Sequence, residues 1–136
     1  MPKSITVLIA DDNFHIRESL QLLLEPVEHI QVVGQATNGE EAIVLAAELS
    51  PDIILIDINM SPVNGFEATR KISKQHPSIK IIALSLHNEV SYCKNMFRLG
   101  ARGYVTKSSP CNDIITAINE VAAGGRYIDK NIAGII

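Results

Sequence analysis

Residues 53–57, Ile-Ile-Leu-Ile-Asp, constrain this chain more than any other stretch. Four consecutive aliphatic residues are too few for a helix and too uniformly apolar for a strand with one wet face. They therefore predict a strand buried on both sides, of the kind found in parallel sheets covered by helices. Asp57 falls at the carboxyl end of that strand, the edge where such sheets bind ligands. Taken singly, an aspartate there reads more simply as a helix cap or a turn residue. Its meaning depends on what the rest of the chain brings to the same edge.

Ile5–Ala10 is a second short run rich in β-branched residues, and it ends in Asp11 and Asp12. From Phe14 the period changes. Ile16, Leu20, Leu23, Leu24 and Val27 recur at threes and fours, with Arg17, Glu18 and Gln21 on the other side and Pro26 near the stop, as in an amphipathic helix. Residues 31–36 alternate as an edge strand, and Asn38-Gly39-Glu40-Glu41 opens a helix whose stripe is Ala42, Ile43, Ala46 and Leu49. After Asp57, a loop containing Pro62 and Gly65 leads to a helix over 66–76, stopped by Pro77. Residues 79–84 form a fourth apolar run finishing at Ser85. The segment 88–99 is helical in period but poor in aliphatic residues, so it is expected to be the least firmly packed helix. Gly103–Thr106 is a fifth strand ending at Lys107. Ser109-Pro110 starts a last helix, with Ile114, Ile115, Ile118 and Val121 as its buried side and Gly124-Gly125 as its stop.

Five strands alternating with five helices predict one α/β domain, a parallel doubly wound sheet with helices on both faces. The common order for five such strands is 2-1-3-4-5, the flavodoxin-like arrangement, whose switch point lies between strands 1 and 3. At 136 residues the chain is long enough for one self-sufficient core. A net charge of -3 argues against nonspecific binding of nucleic acid by this domain alone. Cys93 and Cys111 fall in separate helical segments without metal spacing and are expected to be free thiols of a reducing compartment. No apolar run reads as a secretory signal or a membrane span, so the expected location is the cytoplasm.

In that order the strand ends converge. Asp11 and Asp12 follow strand 1, Asp57 ends strand 3, Ser85 ends strand 4 and Lys107 follows strand 5. Crowded carboxylates each tend to hold a proton unless a cation is present. Oxygen ligands without His or Cys suit a hard ion, and Mg2+ takes one or two carboxylates, keeps waters and binds phosphate oxygens. A metal, an ammonium and a hydroxyl aimed at one ionised carboxylate suit phosphoryl transfer, with Asp57 as the nucleophile that forms an acyl phosphate.

Asp11-Asp12, Asp57 followed by Met60-Ser61-Pro62 and Gly65, Ser85, and Tyr104 with Lys107 resemble the receiver domain of a two-component response regulator over nearly the whole chain. The resemblance implies that Asp57 accepts a phosphoryl group from a histidine kinase or phosphotransfer protein. It implies Mg2+ held by Asp12, Asp57 and the backbone carbonyl of Asn59, with Asp11 assisting through water. Lys107 and Ser85 would bind the phosphoryl oxygens, and Tyr104 would turn inward as Ser85 moves. The stretches 100–104 and 122–128 are similar to the subfamily whose receiver precedes a LuxR-type helix-turn-helix domain. This implies a receiver over 1–127 and, over 128–136, the start of a linker to an output domain absent here. DNA binding would belong to that domain, and whether phosphorylation makes a homodimer is left open by the sequence.

Two departures from the family pattern stand out. Lys107 is followed by Ser108 in place of the common proline, and the bulky Leu86 follows Ser85, with His87 next. Leu86 is expected to narrow access to the phosphoryl site, and His87 to order or exclude water there. Rival readings are weaker. A haloacid-dehalogenase-like phosphatase needs a general acid two residues after its nucleophile, where this chain has the amide Asn59, so a turnover enzyme is disfavoured. A flavin carrier would repel its phosphate at Asp11-Asp12. A stand-alone or degenerate receiver, acting by protein binding, is the remaining alternative.

Overall fold

The computed structural model describes residues 4–86, 90–107 and 111–133, with the backbone alone at 111, 112 and 131. The element order is β1 (Ile5–Ala10), α1 (Phe14–Leu24), β2 (Ile30–Ala36), α2 (Gly39–Leu49), β3 (Ile53–Asp57), α3 (Gly65–Gln75), β4 (Lys80–Ser85), α4 (Val90–Arg98), β5 (Gly103–Thr106), α5 (Cys111–Ala122), β6 (Tyr127–Ile128) and α6 (Lys130–Ala133). The strands form one sheet in the order β2-β1-β3-β4-β5-β6, and each pairing is parallel. The expected doubly wound order therefore holds from β2 to β5.

The central strand is buried as its composition requires. Every residue of β3 is at most 2% exposed, Asp57 included. Odd and even positions then divide the core into two. Leu8, Ala10, Ile54 and Ile56 face α2, α3 and α4, while Val7, Ile9, Ile53 and Leu55 face α1 and α5. Leu20 and Leu24 supply the buried stripe of α1; Ala42 and Ala46 supply that of α2, where Leu49 stays 39% exposed. In α5, Ile114, Ala117, Ile118 and Val121 close the second core. Asparagine caps start the three helices nearest the switch point: Asn13, Asn38 and Asn64 each accept the backbone N–H three residues on, at 3.1, 2.8 and 2.9 Å. These caps fix where each loop at the carboxyl edge ends and its helix begins.

The sheet differs from the expected one by a sixth strand. Tyr127 and Ile128 pair with Gly103 and Tyr104, covering the outer edge of β5, which a five-stranded sheet would leave open. Two residues of the segment expected to begin a linker belong with the core: Ile132 is fully buried and Ile128 packs against the same cluster. Residues 127–133 thus lie on the folded body, because an open strand edge and an apolar patch are both satisfied by them. Ile135 and Ile136 fall outside the described residues, as do His87, Ser108 with the Lys107-Ser108 bond, and the Ser109-Pro110 helix start. Among the described residues no helix is long and apolar enough to cross a membrane.

Candidate functional site

The carboxyl edge of β1, β3, β4 and β5 gathers the polar residues that the sequence places at strand ends. Lys107 Nζ lies 2.9 Å from Asp11 Oδ2 and 3.1 Å from Asp57 Oδ1, with the lysine side chain 10% exposed and both carboxylates buried. Backbone donors hold the other contacts. The Asn13 N–H donates to Asp11 Oδ1 at 2.8 Å, and the Asn59 N–H donates to Asp57 Oδ1 at 3.2 Å. Among the described residues no group bonds Asp57 Oδ2, so one oxygen of this carboxylate is fixed by two donors and the other is left with its lone pairs.

Asp12 completes the acidic set from the exposed side. Asp11, Asp12 and Asp57 each offer a carboxylate oxygen, and these atoms lie within 4.8 Å of one another. Three carboxylates against one ammonium leave an excess of negative charge. At Asp57 burial is the largest influence and raises the pKa, and the Asp11 charge adds to it; Lys107, by charge and hydrogen bond, and the Asn59 N–H offset this in part. At Lys107 burial is the largest influence and pulls the pKa down, yet the two carboxylates together outweigh it and hold the ammonium above its ordinary value. An all-oxygen cluster with surplus negative charge and one carboxyl pushed toward protonation fits a small divalent cation such as Mg2+.

Ser85 and Lys107 are placed by the β4 and β5 ladders. Asp57 pairs with Leu84, Ser85 pairs with Thr106, and the Lys107 N–H donates to the Ser85 carbonyl at 2.7 Å. Ser85 is fully buried beside this junction, and Leu86, the next residue, is 69% exposed. Tyr104, expected to turn inward as Ser85 moves, already points inward here and is fully buried. Asn59 is exposed, and its N–H holds Asp57 as described.

Three contributors were not legible as such. Gly65 lets the first turn of α3 press against the back of Asp57: a Cβ there would meet the Asp57 carbonyl oxygen and come within 2.7 Å of Ile58 Cα, while the Gly65 N–H donates to the Ile58 carbonyl at 2.9 Å. Its place in a loop motif flagged it, but not the reason. Arg17, read as part of the outer side of α1, folds back so that Nη1 donates to the Asp11 carbonyl at 2.8 Å and Nε to Gln35 Oε1 at 3.2 Å. Asp129 is buried and accepts hydrogen bonds from Thr106, the neighbour of Lys107. A pairing across 23 residues has no periodic signature in a sequence.

The chain is similar to known proteins over nearly its whole length. A family model described as response regulator receiver domain matches residues 7–119. The chain is 40% identical over 129 residues to the response regulator GacA of Pseudomonas protegens, covering 95% of this chain and 61% of that protein. It spans about 60% of the length of the curated relatives it matches. A crystal structure of a LuxR-family two-component response regulator from Aurantimonas sp. SI85-9A1 is similar with a TM-score of 0.93 at 32% identity, over 97% of this chain and 94% of that one. The isolated REC domain of RcsB from Salmonella enterica serovar Typhimurium, in the presence of the phosphomimetic BeF3-, is similar in fold, with a TM-score of 0.90 at 22% identity over 98% and 99% of the two chains.

Proposed function

This chain belongs to the response regulator receiver family and is a signalling domain of two-component systems, and from that premise we propose that Asp57 is its phosphoacceptor. The observation that carries the reading is the asymmetry of the Asp57 carboxylate. Lys107 and the Asn59 N–H fix Oδ1, and Oδ2 is left as the attacking atom. Oδ2 forms the new bond to phosphorus as the bond from phosphorus to the donor, a phosphohistidine nitrogen, breaks; that imidazole leaves on the partner with its electron pair. The Lys107 ammonium, already between Asp11 and Asp57, needs a small displacement to meet the phosphoryl oxygens, and the Ser85 hydroxyl approaches from the end of β4. Proximity of a fixed positive charge to the oxygens that gain charge is the main catalytic device available to this site.

Asp11, Asp12, Asp57 and the Asn59 carbonyl would hold Mg2+. Bound there, the ion would offset the carboxylates' repulsion and supply positive charge to the phosphoryl oxygens. Asn59 cannot donate a proton to a departing group or take one from water, which favours an acyl phosphate that persists long enough to signal. The donor is a histidine kinase or a phosphotransfer protein. The readout is transcription through a DNA-binding part of the longer protein, with a homodimer formed on phosphorylation. These partners follow from the family and from relatives longer than this chain.

Incubation with acetyl phosphate and Mg2+, followed by intact-mass analysis, tests the reading. The wild type is expected to gain one phosphoryl group and Asp57→Asn none. Equal labelling of both proteins would refute it, and no labelling of either would leave a receiver that acts through protein contacts alone.

A further inference from the structure

The carboxyl end of β5 is held from a direction that the phosphoryl site does not use. β6 pairs with β5 at Gly103 and Tyr104, and among the described residues the ladder stops there. Past that point the buried Thr106 N–H has no strand to donate to, and an unpaired buried donor is costly. Asp129 fills the place. Its Oδ2 accepts the Thr106 N–H at 3.1 Å and the Thr106 hydroxyl at 2.9 Å, while its own N–H donates to the Tyr104 carbonyl at 2.9 Å. Asp129 is 1% exposed, and a carboxylate so far from water stays there only when donors hold it.

Thr106 directly precedes Lys107. The backbone that aims the ammonium is therefore pinned on one side by β4, through the Lys107 N–H and the Ser85 carbonyl, and on the other by a side chain from the segment 127–133. That segment reaches further: Ile132 is buried in the core on the α4 side, and just before it the Arg126 guanidinium lies 5.7 Å from the Phe97 ring centroid of α4. A displacement of Lys107 toward a phosphoryl group moves a peptide that Asp129 grips, so the two ends of this connection share one free energy.

We propose that Asp129 is a positioning residue for the phosphoryl site: it holds Thr106, and through it Lys107, and so links occupancy of the site to the order of residues 127–133. This rests on the reading of Asp57 as phosphoacceptor. On that reading Asp57, with Mg2+ held beside it, would take up beryllium trifluoride as a phosphoryl mimic, so the linkage can be measured without turnover. The coupling is reciprocal, so loading the site tightens the segment and loosening the segment weakens the site.

The test titrates wild type, Asp129→Ala and Asp129→Asn with beryllium trifluoride at saturating Mg2+, and separately with Mg2+ alone. Asp129→Ala is expected to weaken beryllium trifluoride binding roughly tenfold, the scale on which outer partners act on a bound centre. Asp129→Asn keeps an oxygen that can accept from Thr106 and is expected to retain most of the affinity. Affinity for Mg2+ alone is set by the cluster carboxylates and the charge beside them, which neither substitution removes, so it is expected to stay the same in all three. In the wild type, backbone hydrogen exchange over 128–133 is expected to slow when the mimic is added, which needs no variant at all. Equal beryllium trifluoride affinities together with unchanged exchange over 128–133 would overturn the proposal, and so would a parallel loss of Mg2+ affinity, the mark of general loosening. Failure of the wild type to bind the mimic is a different result: it removes the reading of Asp57 and this inference with it.

Discussion

Replacing Lys107 with methionine keeps most of the aliphatic stem and removes the one ammonium shared by Asp11 and Asp57. At an effective dielectric constant of about 20, each contact near 3 Å is worth about 5 kcal/mol before the cost of drying the ammonium. Removing one partner of a buried ion pair costs about 3–5 kcal/mol in practice. The low end applies here, because Asp57 can relieve the strain by taking a proton. The sign follows from its raised pKa: ionisation of Asp57 is penalised in the fold, so its contribution is complete below its ordinary value of 3.8 and is lost as pH rises through the folded value. Without Lys107 that folded value climbs further. In metal-free buffer, urea unfolding should show Lys107→Met less stable by about 3 kcal/mol near pH 8, a midpoint shift of about 2 M for a slope near 1.5 kcal/mol/M. The deficit should shrink as pH falls, because the carboxyl then takes up its proton. Added Mg2+ should stabilise the variant by about 2.7 kcal/mol at a hundred times the variant's dissociation constant, and the wild type by less at the same concentration. A deficit independent of both pH and Mg2+ would show that Lys107 matters through packing, and the electrostatic account of the site would fail.

Other outcomes follow from the same geometry. In metal-free buffer Asp57→Asn is expected to stabilise the fold, increasingly as pH rises through the folded pKa of the wild-type carboxyl, since a buried charge repelled by Asp11 is removed; a thermal scan showing destabilisation at neutral pH would contradict this. The Lys107 pair contributes stability that is complete below 10.5 and lost above the raised folded pKa, so wild type should lose stability on the far alkaline side while Lys107→Met shows no such limb. Gly65→Ala places a methyl against the Asp57 carbonyl and Ile58 backbone, atoms that cannot step aside cheaply; a loss of about 1–3 kcal/mol is expected by denaturant titration, together with slower labelling by acetyl phosphate. Asp12→Asn removes an exposed carboxylate from the cluster and should weaken Mg2+ binding by calorimetry while leaving the urea midpoint of the metal-free protein nearly unchanged.

Much of the fold was legible because its central strands carry their environment in their composition. Residues 53–57 could be read as doubly buried without any partner in view, and every one of them is. The strand-end residues followed from the order of strands, since a parallel sheet brings every carboxyl end to one edge, and Asp11, Asp57 and Lys107 meet there directly. What escaped was set by chain geometry and not by residue type. Tyr127 and Ile128 are too short a run to announce a strand, and they pair because the edge of β5 is open beside them. Arg17 sits at a helical position that normally points to solvent, and it folds back because the Asp11 carbonyl lies within reach. Asp129 gives no local signal, because the donors it satisfies belong to a strand 23 residues earlier.

The central claim, that Asp57 carries the phosphoryl group, is tested most directly by trapping it. Borohydride reduction converts an aspartyl phosphate to homoserine, so peptide mass spectrometry of the acetyl-phosphate-treated protein reads the modified position. Homoserine at position 57, dependent on Mg2+ and absent without acetyl phosphate, is the expected result. Homoserine at 11 or 12, or an acid-stable phosphate on a hydroxyl residue with position 57 unchanged, would contradict the account.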